Sequence, residues 1–137
     1  MDNYVLDTSA ILAFIENEDG AEKIDALLIQ ALDYQVVIAI SVISLIEVFY
    51  ISVQEQGEEI AESRQQQIKA LPIQIVDLDI SLVEVIGFLK SKHKISFADS
   101  CIAGLAKSMS ANLVHKDPEF EQILDVKQLI LAYKKKS

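Results

Sequence analysis

The sequence predicts an α/β domain with a central, mostly parallel sheet covered by helices on both faces. Short apolar runs that read as strands alternate along the chain with longer segments whose apolar residues recur at helical spacing. Val36 to Ile40 is apolar throughout, without the polar alternation of a half-exposed strand, as an interior parallel strand requires. The 137 residues are 51% apolar, enough for a single domain over 1–137 to bury about two-thirds of its unfolded surface.

Asn3 to Leu6 is the first strand, ending at Asp7, and Thr8 and Ser9 offer hydroxyls at the entrance of a helix over Ala10 to Glu16. An acidic loop around Gly20 precedes a second helix, in which Ala21, Ile24, Leu27, Leu28, Ala31 and Leu32 form one face. After the Val36 to Ile40 strand, Ser41 opens a long helical pattern that ends by Gly57. Another runs from Glu58 to Leu71 and stops before Pro72, so the two read as a helical hairpin. Ile73 to Val76 is a short strand, followed by a helix over Asp79 to Lys90 with Ile80, Val83, Ile86 and Leu89 on one face. Phe97, Ala98, Cys101, Ile102, Leu105 and Met109 predict a helix over Ser96 to Met109. Asn112 to Val114 is a strand leading to Asp117 and Pro118, Val126 to Leu131 is a last strand or helix, and the tail with Lys134, Lys135 and Lys136 is expected to fray.

Composition narrows the function. Twelve basic against 21 acidic residues give a net charge of −9, which opposes tight unspecific nucleic-acid binding, although Lys90, Lys92 and Lys94 leave room for a local positive rim. The longest apolar stretch, Val36 to Val53, is interrupted by Ser41, Ser44, Glu47 and Ser52 and is no membrane span. No basic segment leads into an apolar one at the N-terminus, so the expected location is cytoplasmic. Cys101 with His93 and His115 cannot build a zinc cluster, and any metal site must be made of oxygen ligands. Neither a nucleophile elbow nor a glycine-rich phosphate loop is present.

Several acids stand where chemistry is plausible, each with a structural alternative. Asp7 and Asp117 follow separate strands and could face one crevice, but each also suits a helix cap, Asp117 with Pro118 in the first helical position. Glu47 has apolar neighbours on nearly every helical face. An ionised carboxylate desolvated alone costs several kcal/mol, so a metal or a basic partner is expected, unless Glu47 lies on a solvent stripe with Ser44, Ser52 and Gln54. Asp99 also reads as the third residue of a helix capped by Ser96. Asp77 and Asp79 have a metal-pair spacing that capping of the next helix explains adequately. Cys101 reads as a core residue, and His93 as a surface one.

Four segments together resemble the PIN domain: Val5-Leu6-Asp7-Thr8-Ser9-Ala10, Ser44-Leu45-Ile46-Glu47-Val48, Ile95-Ser96-Phe97-Ala98-Asp99-Ser100-Cys101-Ile102-Ala103, and Leu113-Val114-His115-Lys116-Asp117-Pro118-Glu119-Phe120. The resemblance implies a three-layer α/β/α domain and an acidic site of Asp7, Glu47, Asp99 and Asp117. Such a site would bind Mg²⁺ or Mn²⁺ and hydrolyse RNA phosphodiesters, with Asp7 and Asp117 as principal ligands and Asp99 and Glu47 acting through water. Hard oxygen ligands suit these ions. The length is similar to that of VapC-type toxins, which implies an antitoxin partner; a homodimer is equally compatible with the apolar helix Val42 to Val53. Ser9 matches the family's small polar position after the first acid. His115 stands where the family carries Thr or Ser, and its imidazole is expected to donate to a phosphate or water, altering activity without abolishing it.

Two other classes fit less well. An interaction module on the same fold, with weak or no activity, would accord with the net charge and His115. A haloacid-dehalogenase-like phosphatase would need an acid where Ser9 stands, and a receiver domain would have only Asp77 to phosphorylate.

Overall fold

The structure, a computed structural model, describes residues 1–132. Strands β1 (Asp2–Leu6), β2 (Val36–Ser41), β3 (Gln74–Val76), β4 (Asn112–His115) and β5 (Gln128–Ile130) form one sheet in the order β3-β2-β1-β4-β5. Every neighbouring pair is parallel. Successive residues point to opposite faces, as strand geometry demands. Val5, Ala39 and Leu113 therefore enter one apolar cluster, while Leu6, Ile38, Ile40 and Val114 enter the other.

Helices cover both faces. α1 (Thr8–Ile15), α2 (Ala21–Leu32), α3 (Val42–Gln56) and α4 (Glu58–Lys69) contribute to the second cluster through Ala10, Ile11, Ile24, Leu27, Leu45, Val48 and Ile68. α5 (Val83–Lys92) and α6 (Phe97–Ser108) supply the first through Ile86, Leu89, Ile102 and Leu105. This is the three-layer arrangement expected. α3 and α4 form the predicted hairpin, hinged at Gly57, whose φ of +92° is a conformation that side chains with a Cβ rarely adopt.

Local physics explains where element ends move. The first helix begins at Thr8 because the Asp7 carboxylate accepts the Ala10 N–H, drawing both hydroxyl residues into the first turn. Asp79 caps a separate 3-10 turn, Ile80–Leu82, before α5 begins. The ambiguous segment Val126 to Leu131 contains a strand, since Gln128–Ile130 pairs with β4. The tail with Lys134, Lys135 and Lys136 lies outside the described residues.

The strand order creates the crevice. From β1 the chain builds outward through β2 to β3, then returns to β4 on the other side of β1. At such a reversal the connections leave the carboxyl ends of two adjacent strands uncovered, here those of β1 and β4.

α5 and α6 cross closely at Gly104. A Cβ there would lie 2.6 Å from Ile86 Cγ1 and 3.4 Å from its Cα, too near for the helices to keep their spacing. Gly104→Ala gains up to about 1 kcal/mol of helix propensity but overpacks the crossing, which costs typically 1–3 kcal/mol. A net loss of about 1 kcal/mol is expected, visible as a lower urea midpoint at unchanged slope.

Candidate active site

Asp7 stands at the carboxyl end of β1, where its N–H donates to Val114 O at 3.0 Å and extends the pairing with β4. Its Oδ1 accepts the Ala10 N–H at 2.8 Å, and Ser9 Oγ lies 2.7 and 2.8 Å from its two carboxylate oxygens. Ser9 Oγ also accepts the Lys116 N–H at 2.9 Å, tying the start of α1 to the segment after β4. Asp7 is only 3% exposed. Burial, with smaller contributions from Asp99 and Asp117, pushes its pKa up to about 7 against the opposing hydrogen bonds from Ala10 and Ser9.

Asp99 and Asp117 approach from other elements. Ser96 caps α6 by accepting the Asp99 N–H at 3.0 Å, which sets Asp99 in the first turn. Asp117 caps the 3-10 segment Pro118–Gln122, accepting the Glu119 N–H at 3.0 Å with Pro118 in the first position. Both caps match the structural alternatives read from the sequence, so capping and convergence are compatible roles. Asp99, Asp117 and Glu119 each present an oxygen within 4.8 Å of the others. Burial first, then the charges of Asp117 and Glu47 and, less, Glu119, raises the pKa of Asp99 to about 6 despite its bond with Ser96.

Glu119 was not singled out from the sequence. Its only signal is the spacing Asp117-Pro118-Glu119, in which a proline-started turn brings the second residue back beside its cap. Read locally, it resembles any solvated acid.

Glu47 reaches the same crevice from α3, half-buried rather than desolvated. Among the described residues no salt bridge compensates it; Thr8 Oγ1 donates to its Oε1 at 2.6 Å, and Tyr50 OH lies 3.4 Å from Oε2. The solvent stripe fails as well, because Ser44 and Ser52 are fully buried. Ser44 Oγ lies 3.3 Å from Thr8 Oγ1, and Ser52 accepts from Arg64, which also pairs with Glu16 at 3.3 Å. Among the described residues neither salt bridge involves Asp7, Glu47, Asp99, Asp117 or Glu119.

A family model for the PIN domain matches residues 4–125. The chain belongs to the PIN domain family. Solved structures with this fold include a chain of the VapBC2 complex of Rickettsia felis, determined with a DNA fragment from its promoter. It shares 22% identity over 95% of this chain and 99% of that one, with a TM-score of 0.79. A chain of the DNA-bound VapBC complex of Salmonella typhimurium has 20% identity, 95% and 98% coverage and a TM-score of 0.77. VapC20 of Mycobacterium tuberculosis, a toxin that cleaves the sarcin-ricin loop, has 15% identity, 94% and 99% coverage and a TM-score of 0.70. No curated protein sequence matches this chain at a significant level.

PIN domains are in general nucleases that use divalent metals, and the donor set here fits such an ion. Its members are carboxylates alone, burial and the neighbouring acids raise the pKa values of Asp7 and Asp99, and among the described residues no salt bridge from a lysine or arginine reaches them.

The PIN motif's departure at His115 resolves differently from the expectation. The imidazole has no exposed surface and cannot reach a phosphate. Its Nδ1 accepts the Asp117 N–H at 3.1 Å, its Nε2 lies 2.8 Å from Gln128 Oε1, and its ring packs 5.0 Å from that of Phe120. Burial lowers its pKa, against the bond with Gln128.

Other candidates lie elsewhere. Asp79 accepts from Ser81 N–H and Oγ, as its capping alternative predicted. Cys101 is buried in the core. His93 is half-buried rather than on the open surface, with Nδ1 2.9 Å from Leu89 O at the end of α5. No helix among the described residues is long and apolar enough to cross a membrane.

Proposed function

We propose that this PIN domain is a divalent-metal-dependent endoribonuclease and the toxin of a toxin–antitoxin pair, acting in the cytoplasm. The observation that carries the reading is the meeting of Asp7, Asp99, Asp117 and Glu119, with Glu47 beside them, in a crevice where, among the described residues, no salt bridge offsets their charge. Asp7, Asp99, Asp117 and Glu119 would hold Mg²⁺ or Mn²⁺. Such an ion supplies a more acidic bound water and charge neutralisation at the scissile phosphate.

The protein's own groups do the rest. Ser9 and the Ala10 amide hold Asp7 in one rotamer, and Thr8 holds Glu47. Asp99 and Glu47 orient the attacking water; its oxygen bonds to phosphorus as its proton passes to one of these carboxylates, and the departing sugar oxygen takes a proton from solvent. RNA reaches this acidic centre along a positive rim. Lys92 and Lys94 are exposed just before α6, and their loop is tied to the 3-10 segment by Lys94 N–H donating to Gln122 at 3.1 Å.

The toxin assignment draws on the VapBC complexes that share the fold, and on exposed apolar surface. Val42, Ile46, Phe49 and Tyr50 line a groove of about 610 Å³ between α3 and α4, which suits an antitoxin segment. Leu78, Ile80, Val83 and Phe97 form a second exposed patch that suits a homodimer.

Labelled single-stranded RNA and tRNA, incubated with purified protein in Mg²⁺, Mn²⁺ or EDTA, test the reading. Cleavage only with metal is expected. A second reading, an interaction module without activity, is favoured by the net charge of −9; folded protein that binds metal and cuts neither substrate would support it.

A further inference from the structure

We infer that His115 and Gln128 are positioning residues that hold Asp117 and Glu119 in their metal-binding arrangement, an inference that rests on the metal reading above. Because Nδ1 accepts the Asp117 N–H, the ring proton must sit on Nε2 and donate to Gln128 Oε1. The Gln128 amide then donates to Phe120 O at 2.8 Å and Ile123 O at 2.9 Å. One chain of hydrogen bonds thus runs from the backbone of Asp117, through the imidazole, to the middle and the C-cap of the 3-10 segment that Asp117 begins. That segment carries Glu119, and Asp117 itself accepts the Glu119 N–H. The Gln128 side chain of β5 holds the segment directly at Phe120 and Ile123 and, through His115, at Asp117, while the His115 ring packs tilted against that of Phe120.

The bond from residue 117 to side chain 115 has the i to i+2 geometry that Ser, Thr and Asn side chains also make in turns. His115 therefore fills the role of a hydroxyl at this position while reaching a further partner that a hydroxyl cannot. Outer partners of metal-binding carboxylates commonly affect metal affinity by 10- to 100-fold.

The test is Mn²⁺ affinity, by calorimetry, of wild type, His115→Leu, His115→Asn and Gln128→Leu, each first shown to be folded by circular dichroism. His115→Leu is expected to bind about 10- to 100-fold more weakly. His115→Asn, whose side-chain oxygen can accept the same amide, should recover most of that loss although it leaves the larger void. Gln128 is only half-buried, so Gln128→Leu keeps the question open if a His115 variant does not fold, and about tenfold weakening is expected. Amide exchange in metal-free protein should show Asp117 protected in wild type and His115→Asn and released in His115→Leu. Equal affinities for wild type and His115→Leu, or equal losses for Leu and Asn, would overturn the positioning role and leave the metal reading standing. Wild type that binds no Mn²⁺ would overturn both.

Discussion

Asp7→Asn is expected to remove metal-dependent RNA cleavage by roughly 10²- to 10³-fold or more, the scale on which loss of one electrostatic group at a reacting centre is felt. The substitution is nearly isosteric. Its side-chain oxygen can still accept the Ala10 N–H, so the cap of α1 survives and the protein should fold. What disappears is the charge of the most buried acid in the crevice, at the carboxyl end of the central strand. Asp79→Asn is the matched control. Asp79 also caps a turn, Ile80–Leu82, but lies outside the cluster of Asp99, Asp117 and Glu119, so this variant should keep full cleavage. Single-turnover cleavage of one labelled RNA at saturating Mn²⁺ compares all three proteins. Wild-type rates in Asp7→Asn would mean the acidic crevice is not where the chemistry occurs.

Without metal, the same variant should be more stable than wild type, by an amount that grows with pH. Asp7 has a folded pKa of about 7, raised from 3.8 chiefly by burial. Between these values the native state holds a proton that the unfolded chain has released, so stability falls as pH rises from 3.8 and levels off above 7. For this buried group the change between about pH 5 and pH 8 is about 2–3 kcal/mol. The raised pKa of Asp99 acts in the same direction. His115 acts in the opposite one, because burial lowers its pKa and stability is lost as pH falls through the range where the unfolded histidine takes up a proton. Comparison of Asp7→Asn with wild type cancels the His115 and Asp99 contributions to first order. In EDTA the melting temperature of the variant should exceed that of wild type by more at pH 8 than at pH 5, by about 5–10 °C. Mn²⁺ should then raise the wild-type value and leave the variant nearly unchanged. A pH-independent difference would mean that Asp7 is ionised in the native state at pH 5.

Much of this site was legible because it is built from local chemistry. Asp7 to Ala10, Ser96 to Asp99 and Asp117 to Glu119 are caps made within three residues, so the acids could be placed at element ends before any contact was known. The alternation of strands and helices and the unbroken apolar run of β2 likewise predicted a sheet covered twice. Glu47 stands out in the sequence through its apolar surroundings, yet in the fold it is half-buried rather than fully desolvated. Its partner is the neutral Thr8, 39 residues earlier in the chain, and the serines expected to share its solvent stripe are buried.

His115 shows where local reading ends. A histidine two residues before an acid, at the end of a strand, looks equally ready to face substrate or core, and only the packing of β5 and Phe120 around it selects the core. Glu119 is the converse case, an exposed acid in sequence terms that a turn carries into the cluster. The sequence by itself determined the elements, their caps and a set of acids at strand and helix ends, since these follow from hydrogen bonds and periodicities spanning a few residues. The tertiary structure alone decided which acids meet, how deeply Asp7 is buried and which way His115 points. Those outcomes depend on β4 returning to lie beside β1, a pairing between segments about a hundred residues apart that no local preference encodes.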